Sequence, residues 1–137
     1  MKGTKLYSIF KGKCPRCHEG DFFVEKHPYK LSKMAHIHKE CSVCGENFER
    51  EPGFYFGAAY VSYGLTVALW VAVLVALLTF DALGWIEYGF YENPVTLLVT
   101  GIITLLALLP VLYRGSRIIW LNIFVKYKRP EDRAKQA

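Results

Sequence analysis

Residues 57–80 read GAAYVSYGLTVALWVAVLVALLTF and residues 95–113 read VTLLVTGIITLLALLPVLY, without a charged side chain in either stretch. At 1.5 Å per residue, a helix over the first stretch reaches roughly 36 Å and one over the second roughly 28 Å. These lengths match a hydrocarbon core of about 30 Å, the second only just. Two buried helices of a soluble fold are the alternative, but they would leave too little polar sequence in 137 residues to cover them. The sequence therefore predicts a membrane α-helical hairpin of two transmembrane helices over residues 54–113, with an outer connector at 81–93.

The lysines and arginines are segregated to the two ends of the chain. Ten of the 17 lie in residues 1–50, seven lie in residues 114–135, and none lies between. The positive-inside rule therefore predicts that both termini are cytoplasmic and that the acidic connector is outside. The formal net charge of +5 would suit nucleic acid. Cations that flank apolar segments fit membrane lipid better, so no nucleic-acid partner is expected. The apolar run Leu6–Phe10 is too short for a signal peptide, and the first transmembrane helix is expected to act as the insertion signal.

All four cysteines precede the first apolar stretch, in two CxxC motifs. Cys14-Pro-Arg-Cys17 and Cys41-Ser-Val-Cys44 are separated by 23 residues, a pattern typical of a tetrahedral four-thiolate zinc site. Two intervening residues allow one turn to present both sulfurs to a single ion. The glycine after the second motif suits such a turn, because glycine tolerates a positive φ. Residues 1–53 are therefore predicted to form a small zinc-ribbon-like head, with short strands between the motifs and a metal that supplies much of its folding free energy.

Other uses of the cysteines are less well supported. Disulfides are disfavoured in a reducing cytoplasm. Cys14 to His18 spell the C-x-x-C-H motif of covalent haem, but haem would leave the second CxxC unexplained. A rubredoxin-like iron site uses the same four ligands and stays open beside zinc. Because four cysteines already close the site, His27, His36 and His38 are expected on the surface. Whether one of these three or His18 contacts the metal stays open.

Small residues recur every four positions along the first predicted helix, at Gly64, Ala68, Ala72 and Ala76. Threonines form a comparable stripe on the second helix, at Thr96, Thr100 and Thr104. Such stripes allow helices to approach closely in lipid. We expect them to pack the hairpin against itself, and the alternative is that they dock a partner's helix or a second copy of the chain.

Residues 114–137 mix apolar and basic side chains. The segment RIIWLNIFVKYKR at 117–129 is typical of an interfacial helix or of a continuation of the second span into the headgroups, followed by a solvated cytoplasmic tail. Pro110 is expected to kink the end of the second span. Glu51 is predicted at the same membrane depth as Arg114 and Arg117. We hypothesise an ion pair there, with a solvated carboxylate as the alternative.

Four segments together resemble the bacterial membrane family called domain of unknown function 983, in particular its Bacteroidetes-type members: CPRCHEG, CSVCG, EPGFYFGAAYVSYG and SRIIWLN. The resemblance extends from Cys14 to about Lys128. It implies a bacterial inner-membrane protein with a zinc-ribbon-like head, two helices and no established activity. Genes of some relatives neighbour those of cytochrome oxidase and its assembly factors, an association that makes a respiratory oxidase a candidate partner. His18 stands where the family often has glycine.

No catalytic constellation is visible, because the sequence offers neither a nucleophile–base pair nor an acid or base within the spans. The sequence therefore predicts a non-enzymatic accessory or assembly subunit. Its hairpin would dock a larger membrane complex and its zinc head would bind a partner. The alternative is a metal-responsive or redox protein with rubredoxin-like iron. A membrane enzyme or transporter ranks last, since such proteins usually carry polar residues at depth.

Overall fold

The computed structural model describes residues 4–89 and 91–135, except the side chain of residue 133. Within these residues four helices follow in chain order: α1 (Lys5–Lys11), α2 (Phe56–Ala82), α3 (Pro94–Phe124) and α4 (Pro130–Ala134). The two long apolar helices and the N-terminal cysteine cluster confirm the predicted fold class. Each long helix has the length and composition to cross a membrane.

The segment between α1 and α2 consists of turns held by isolated β-bridges. Lys13 pairs with Asp21, Phe23 with Ile37, and Glu40 with Asn47, each antiparallel. The expected short strands are thus reduced to single bridges within the described residues. The first and last of these pairings each enclose one CxxC turn, so few residues remain there in which a ladder could extend.

Helices α2 and α3 pack antiparallel, with large side chains of one seated on glycines of the other. A Cβ on Gly101 of α3 would overlap the ring of Trp70, and a Cβ on Gly57 of α2 would overlap the ring of Trp120. Towards the connector, Val73 joins a small apolar cluster with Leu77, Tyr88 and Leu97. The connector itself is fastened by the Tyr88 N–H, which donates to Asp81 Oδ1 at 2.9 Å.

The small-residue stripe of α2 does not pack the hairpin against itself, so that expectation is wrong. Its four members are exposed: Gly64, Ala68, Ala72 and Ala76. Ala72 and Ala76 each precede a residue that is buried in the hairpin, Val73 and Leu77. One residue corresponds to about 100° around a helix, so the stripe lies on the flank of α2 rather than against α3.

Helix α3 continues without interruption through Pro110 and past Tyr113 to Phe124. Of the two interpretations of residues 117–129, the structure therefore shows the continuation of the second apolar helix. Its last turns enter the head. Three apolar side chains of this end share one buried cluster with the cysteines and with the phenylalanines of the head: Ile118, Leu121 and Val125. The head and the end of α3 therefore form one core, although the sequence divides them between its two ends.

The arginines at the end of α3 bind the head through backbone carbonyls. Arg114 donates to the carbonyl of Glu25 at 2.7 Å and lies 4.0 Å from the centroid of the Phe23 ring. Arg117 donates to the carbonyl of Ala35 at 2.8 Å. Among the described residues neither forms an ion pair with Glu51. The hypothesised pairing is wrong, because both guanidinium groups bind backbone carbonyls of the loop at 25–35 instead.

The outer surfaces of the hairpin are uncovered. Only 11% of the most apolar 18-residue window of either helix is buried. A core helix of a soluble protein would be mostly enclosed by other parts of the chain. Many of the exposed side chains of both helices are large and aliphatic or aromatic, so water is a poor solvent for them and lipid a good one.

Candidate metal centre

The four predicted ligands converge on one point. Their Sγ atoms all lie within 4.8 Å of one another. Two pairs link the motifs, with 3.7 Å between Cys14 and Cys44 and 3.6 Å between Cys17 and Cys41. Four sulfurs placed tetrahedrally about 2.3 Å from zinc would be about 3.8 Å apart. The sulfur positions therefore fit one tetrahedral metal ion.

The two CxxC motifs fold into the same local turn. The N–H of His18 donates to the carbonyl of Cys14 at 2.9 Å, and the N–H of Gly45 donates to the carbonyl of Cys41 at the same distance. Both donors are left-handed, with φ of 59° at His18 and 68° at Gly45. His18 thus adopts the conformation that glycine takes in the second turn, although a side chain makes it less favourable.

Gly20 allows the second motif to approach the first. A Cβ at this position would overlap Cys41 Sγ. The N–H of Gly20 also points at Cys17 Sγ, at 3.5 Å, and such a donor stabilises a thiolate. The sequence argument missed this role, since a glycine three residues after a CxxC motif has many ordinary explanations.

Burial shapes the acidity of the thiols. It raises the pKa of Cys14 far above its ordinary value and that of Cys44 to about 11. At Cys41 burial acts in the same direction, but backbone N–H groups of Cys44 and Val43 outweigh it together with the neighbouring sulfurs, and the pKa is lowered. Four thiolates without a cation would repel one another in this core. A divalent ion removes that cost, because it displaces the thiol protons and neutralises the sulfurs.

An ion pair joins the two turns beside the cluster. Arg16, inside the first motif, binds Glu46, just after the second, at 2.5 Å. Glu46 also accepts a hydrogen bond from Arg50 at 2.7 Å. The backbone of the first turn is fixed to the C-terminal segment as well, since the N–H of Lys128 donates to the carbonyl of Arg16 at 2.9 Å.

The histidines lie outside the sulfur cluster. In the part of the chain that the structure describes, the cluster contains only cysteines. His18 is buried between Tyr7 and Tyr127, with ring centroids 5.7 and 4.4 Å away, and burial lowers its pKa. The other three are exposed: His27, His36 and His38. Covalent haem would have to remove Cys14 and Cys17 from the cluster, whereas a single metal ion uses all four sulfurs.

These observations define a class of protein in which a closed four-cysteine head shares its core with the end of an apolar helical hairpin. The chain belongs to the family described as Protein of unknown function (DUF983), whose model matches residues 31–124. The match includes the second CxxC motif and both long helices, and the first motif precedes it. No curated protein and no solved structure matches the chain.

Proposed function

We propose that the protein is a non-enzymatic accessory or assembly subunit of a larger complex in the bacterial inner membrane. The hairpin spans the bilayer with both termini in the cytoplasm, and the four cysteines hold a structural zinc ion. One observation carries the proposal: the four sulfurs form a closed site whose surrounding core includes the end of α3. A metal bound by all four sulfurs stabilises the fold of the head with the end of α3, and it has no open coordination position for a substrate.

The orientation rests on the charges that flank the hairpin. Every Lys and Arg lies in residues 1–50 or 114–135, and the structure brings these two regions together in the head. The other end of the hairpin is acidic, with Asp81 in the last turn of α2 and Glu87 and Glu92 between α2 and α3. Positively charged segments are retained in the cytoplasm during insertion, which supports a cytoplasmic head. A reducing compartment also keeps the cysteines available for metal.

The uncovered flank of α2 supports docking of a membrane partner. The exposed stripe from Gly64 to Ala76 presents little side-chain volume, and nothing within 4 Å would meet a Cβ on Gly64. A neighbouring helix could therefore approach the backbone of α2 closely. The partner in this proposal is another membrane subunit, with a respiratory oxidase component as one candidate. The alternative partner is a second copy of the chain, which would form a homo-oligomer.

Affinity purification tests this proposal. The C-terminally tagged protein is extracted from native membranes in mild detergent, and co-purifying proteins are quantified by mass spectrometry. We expect one membrane complex at stoichiometric level, which Ala68→Leu with Ala72→Leu depletes. Val71→Leu is the matched control, because Val71 is also exposed on α2 but outside the stripe. Recovery of a lone protein with normal zinc content would contradict the accessory role.

A metal-responsive or redox role is the second candidate. Cys44 is the one member of the cluster that is not fully buried, so solvent reaches the site there. The same sulfur geometry accepts iron. Metal analysis of purified protein separates the two proposals: stoichiometric, tightly held zinc supports the structural role, whereas iron with a visible absorption band supports the redox role.

A further inference from the structure

A cavity of about 830 Å³ lies where the head meets the two long helices. Its walls come from the segment 49–56, from the first turns of α2 and from α3 around Tyr113 and Arg117. Ser62, which lines the cavity, is six residues beyond the start of α2, so the cavity reaches roughly 9 Å along that helix. With the hairpin in a bilayer, this depth corresponds to the headgroups and the first acyl carbons.

Arg117 presents a fixed guanidinium to this cavity. Its Cζ lies 5.5 Å from the centroid of the Tyr55 ring and 4.7 Å from that of Tyr113. It donates to the carbonyl of Ala35 and to the Tyr113 hydroxyl. A guanidinium has five N–H donors, so three remain after these two bonds. They suit the oxygens of a phosphate, which guanidinium recognises better than a simple ammonium does.

Two carboxylates stand on the same rim. Glu49 and Glu51 line the cavity and are exposed. Among the described residues neither forms an ion pair, whereas Arg50 between them is bound to Glu46. In the part of the chain that the structure describes, the rim therefore combines one guanidinium without a carboxylate partner and two carboxylates without a cation. A ligand with both a phosphate and an ammonium group complements this pattern.

The wall below the rim is apolar. Ala58 and Ala59 line it on α2, and so does Phe56, whose side chain is 79% exposed. The cavity thus opens onto the surface that acyl chains would cover. A charged rim above an apolar wall distinguishes this cavity from a site for a free ion or a soluble metabolite.

The geometry points to a phospholipid site selective for a headgroup that carries a phosphate and a primary ammonium, as in phosphatidylethanolamine. Arg117 binds the phosphate, the carboxylates at 49 and 51 bind the ammonium, and the acyl chains lie along α2. The three hydrogen atoms of a primary ammonium can reach the carboxylates, whereas a trimethylammonium has none to donate. This inference rests on the membrane placement proposed above.

Native mass spectrometry tests the site. Delipidated protein is offered phosphatidylethanolamine, phosphatidylglycerol and phosphatidylcholine with identical acyl chains, and retained lipid is counted. We expect about threefold or greater preference for phosphatidylethanolamine over both others, in the range of partly exposed ion pairs. Glu49→Gln with Glu51→Gln should abolish the preference over phosphatidylglycerol without disturbing the fold, because these side chains bind no other described group. Arg117→Gln should lower retention of every phospholipid.

Matched controls are available on the same protein. Lys126→Gln and Glu131→Gln remove exposed charges outside the cavity and should leave the preference unchanged. Equal retention of the three lipids, or loss of preference in the controls, would overturn the site. Displacement of lipid by glycerophosphoethanolamine alone would overturn the role of the acyl chains. Carbonate extraction of native membranes distinguishes a failure of the lipid site from a failure of the proposed membrane placement. Release of the protein by carbonate would refute both the membrane placement and the lipid site. Retention in the membrane without a headgroup preference would refute only the lipid site.

Discussion

Truncation of Leu121 to alanine should loosen the metal site from a position 77 residues beyond the last cysteine in the chain. Leu121 is 0% exposed and belongs to the same buried cluster as Cys14, Cys17 and Cys41. A buried Leu→Ala change costs about 2–5 kcal/mol in stability, depending on how far the cavity collapses. The change touches no metal ligand, so its effect on the metal would act only through the shared core.

The rate of zinc transfer to a chromogenic chelator measures this effect. If zinc leaves through opening of the shared core, 2 kcal/mol would raise the opening equilibrium about 30-fold, since 1.4 kcal/mol is a factor of ten. We expect zinc release from Leu121→Ala in detergent to be at least about tenfold faster than from the wild type. Ile123→Ala is the matched control, because Ile123 lies on the same helix and is 57% exposed.

One result would refute this reasoning. If Leu121→Ala and Ile123→Ala released zinc at the same rate, with equal helix content by circular dichroism, the head would fold without the end of α3. The contacts of Leu121 with the cysteine cluster would then contribute nothing to metal retention, and residues 1–53 would be an independent unit.

Three further predictions concern the head. Gly20→Ala should prevent all four sulfurs from binding one ion and should lower the zinc content, measured by mass spectrometry of the metal; Gly115→Ala, where a Cβ meets no atom within 4 Å, should keep full content. Asp21 accepts a hydrogen bond from Lys13 that lowers its pKa, so its stabilising effect should be present above the ordinary aspartate pKa and should disappear as the pH falls through the lowered value. The free energies of unfolding of Asp21→Asn and wild type, measured with denaturant, should therefore differ at pH 7 by no more than about 1 kcal/mol for this partly exposed pair. They should converge in acid, since zinc loss affects both proteins alike; a constant difference would exclude the ion pair as its cause. Removal of zinc by a chelator should free Trp120, whose Nε1 donates to the carbonyl of Phe54 at 2.8 Å, and shift its fluorescence, measured with the other two tryptophans replaced by phenylalanine; an unchanged spectrum would show that the head holds its shape without metal.

The cysteine site was predictable because its geometry is local. Each CxxC motif closes a turn by a hydrogen bond between residues four apart, and the left-handed position is His18 in the first turn and Gly45 in the second. The existence of the two long helices was equally predictable, since the position and length of an uncharged apolar run follow directly from the order of the residues. The strands expected between the motifs depended on pairing partners, which composition does not specify, and only single bridges formed.

The small-residue stripe shows where periodicity stops being informative. The four-residue spacing from Gly64 to Ala76 correctly places these residues on one face of α2, but a face can meet any neighbour. Trp70 seated on Gly101 fixes the rotation of the two helices, and this contact leaves the stripe outside. Its assignment to the hairpin interface was wrong because it treated a property of one helix as a property of the pair.

The sequence by itself determined the two CxxC turns, the two apolar helices and the charge asymmetry, because each can be recognised within a continuous stretch of the chain. The tertiary structure decided what covers the apolar face of residues 118–125, since lipid and a protein core satisfy the same pattern. Asn122 donates to Ser8 at 3.3 Å, across 114 residues of chain. The end of α3 lies in the head because burial against the cysteines and phenylalanines removes its apolar side chains from water, and no local pattern specifies so distant a partner.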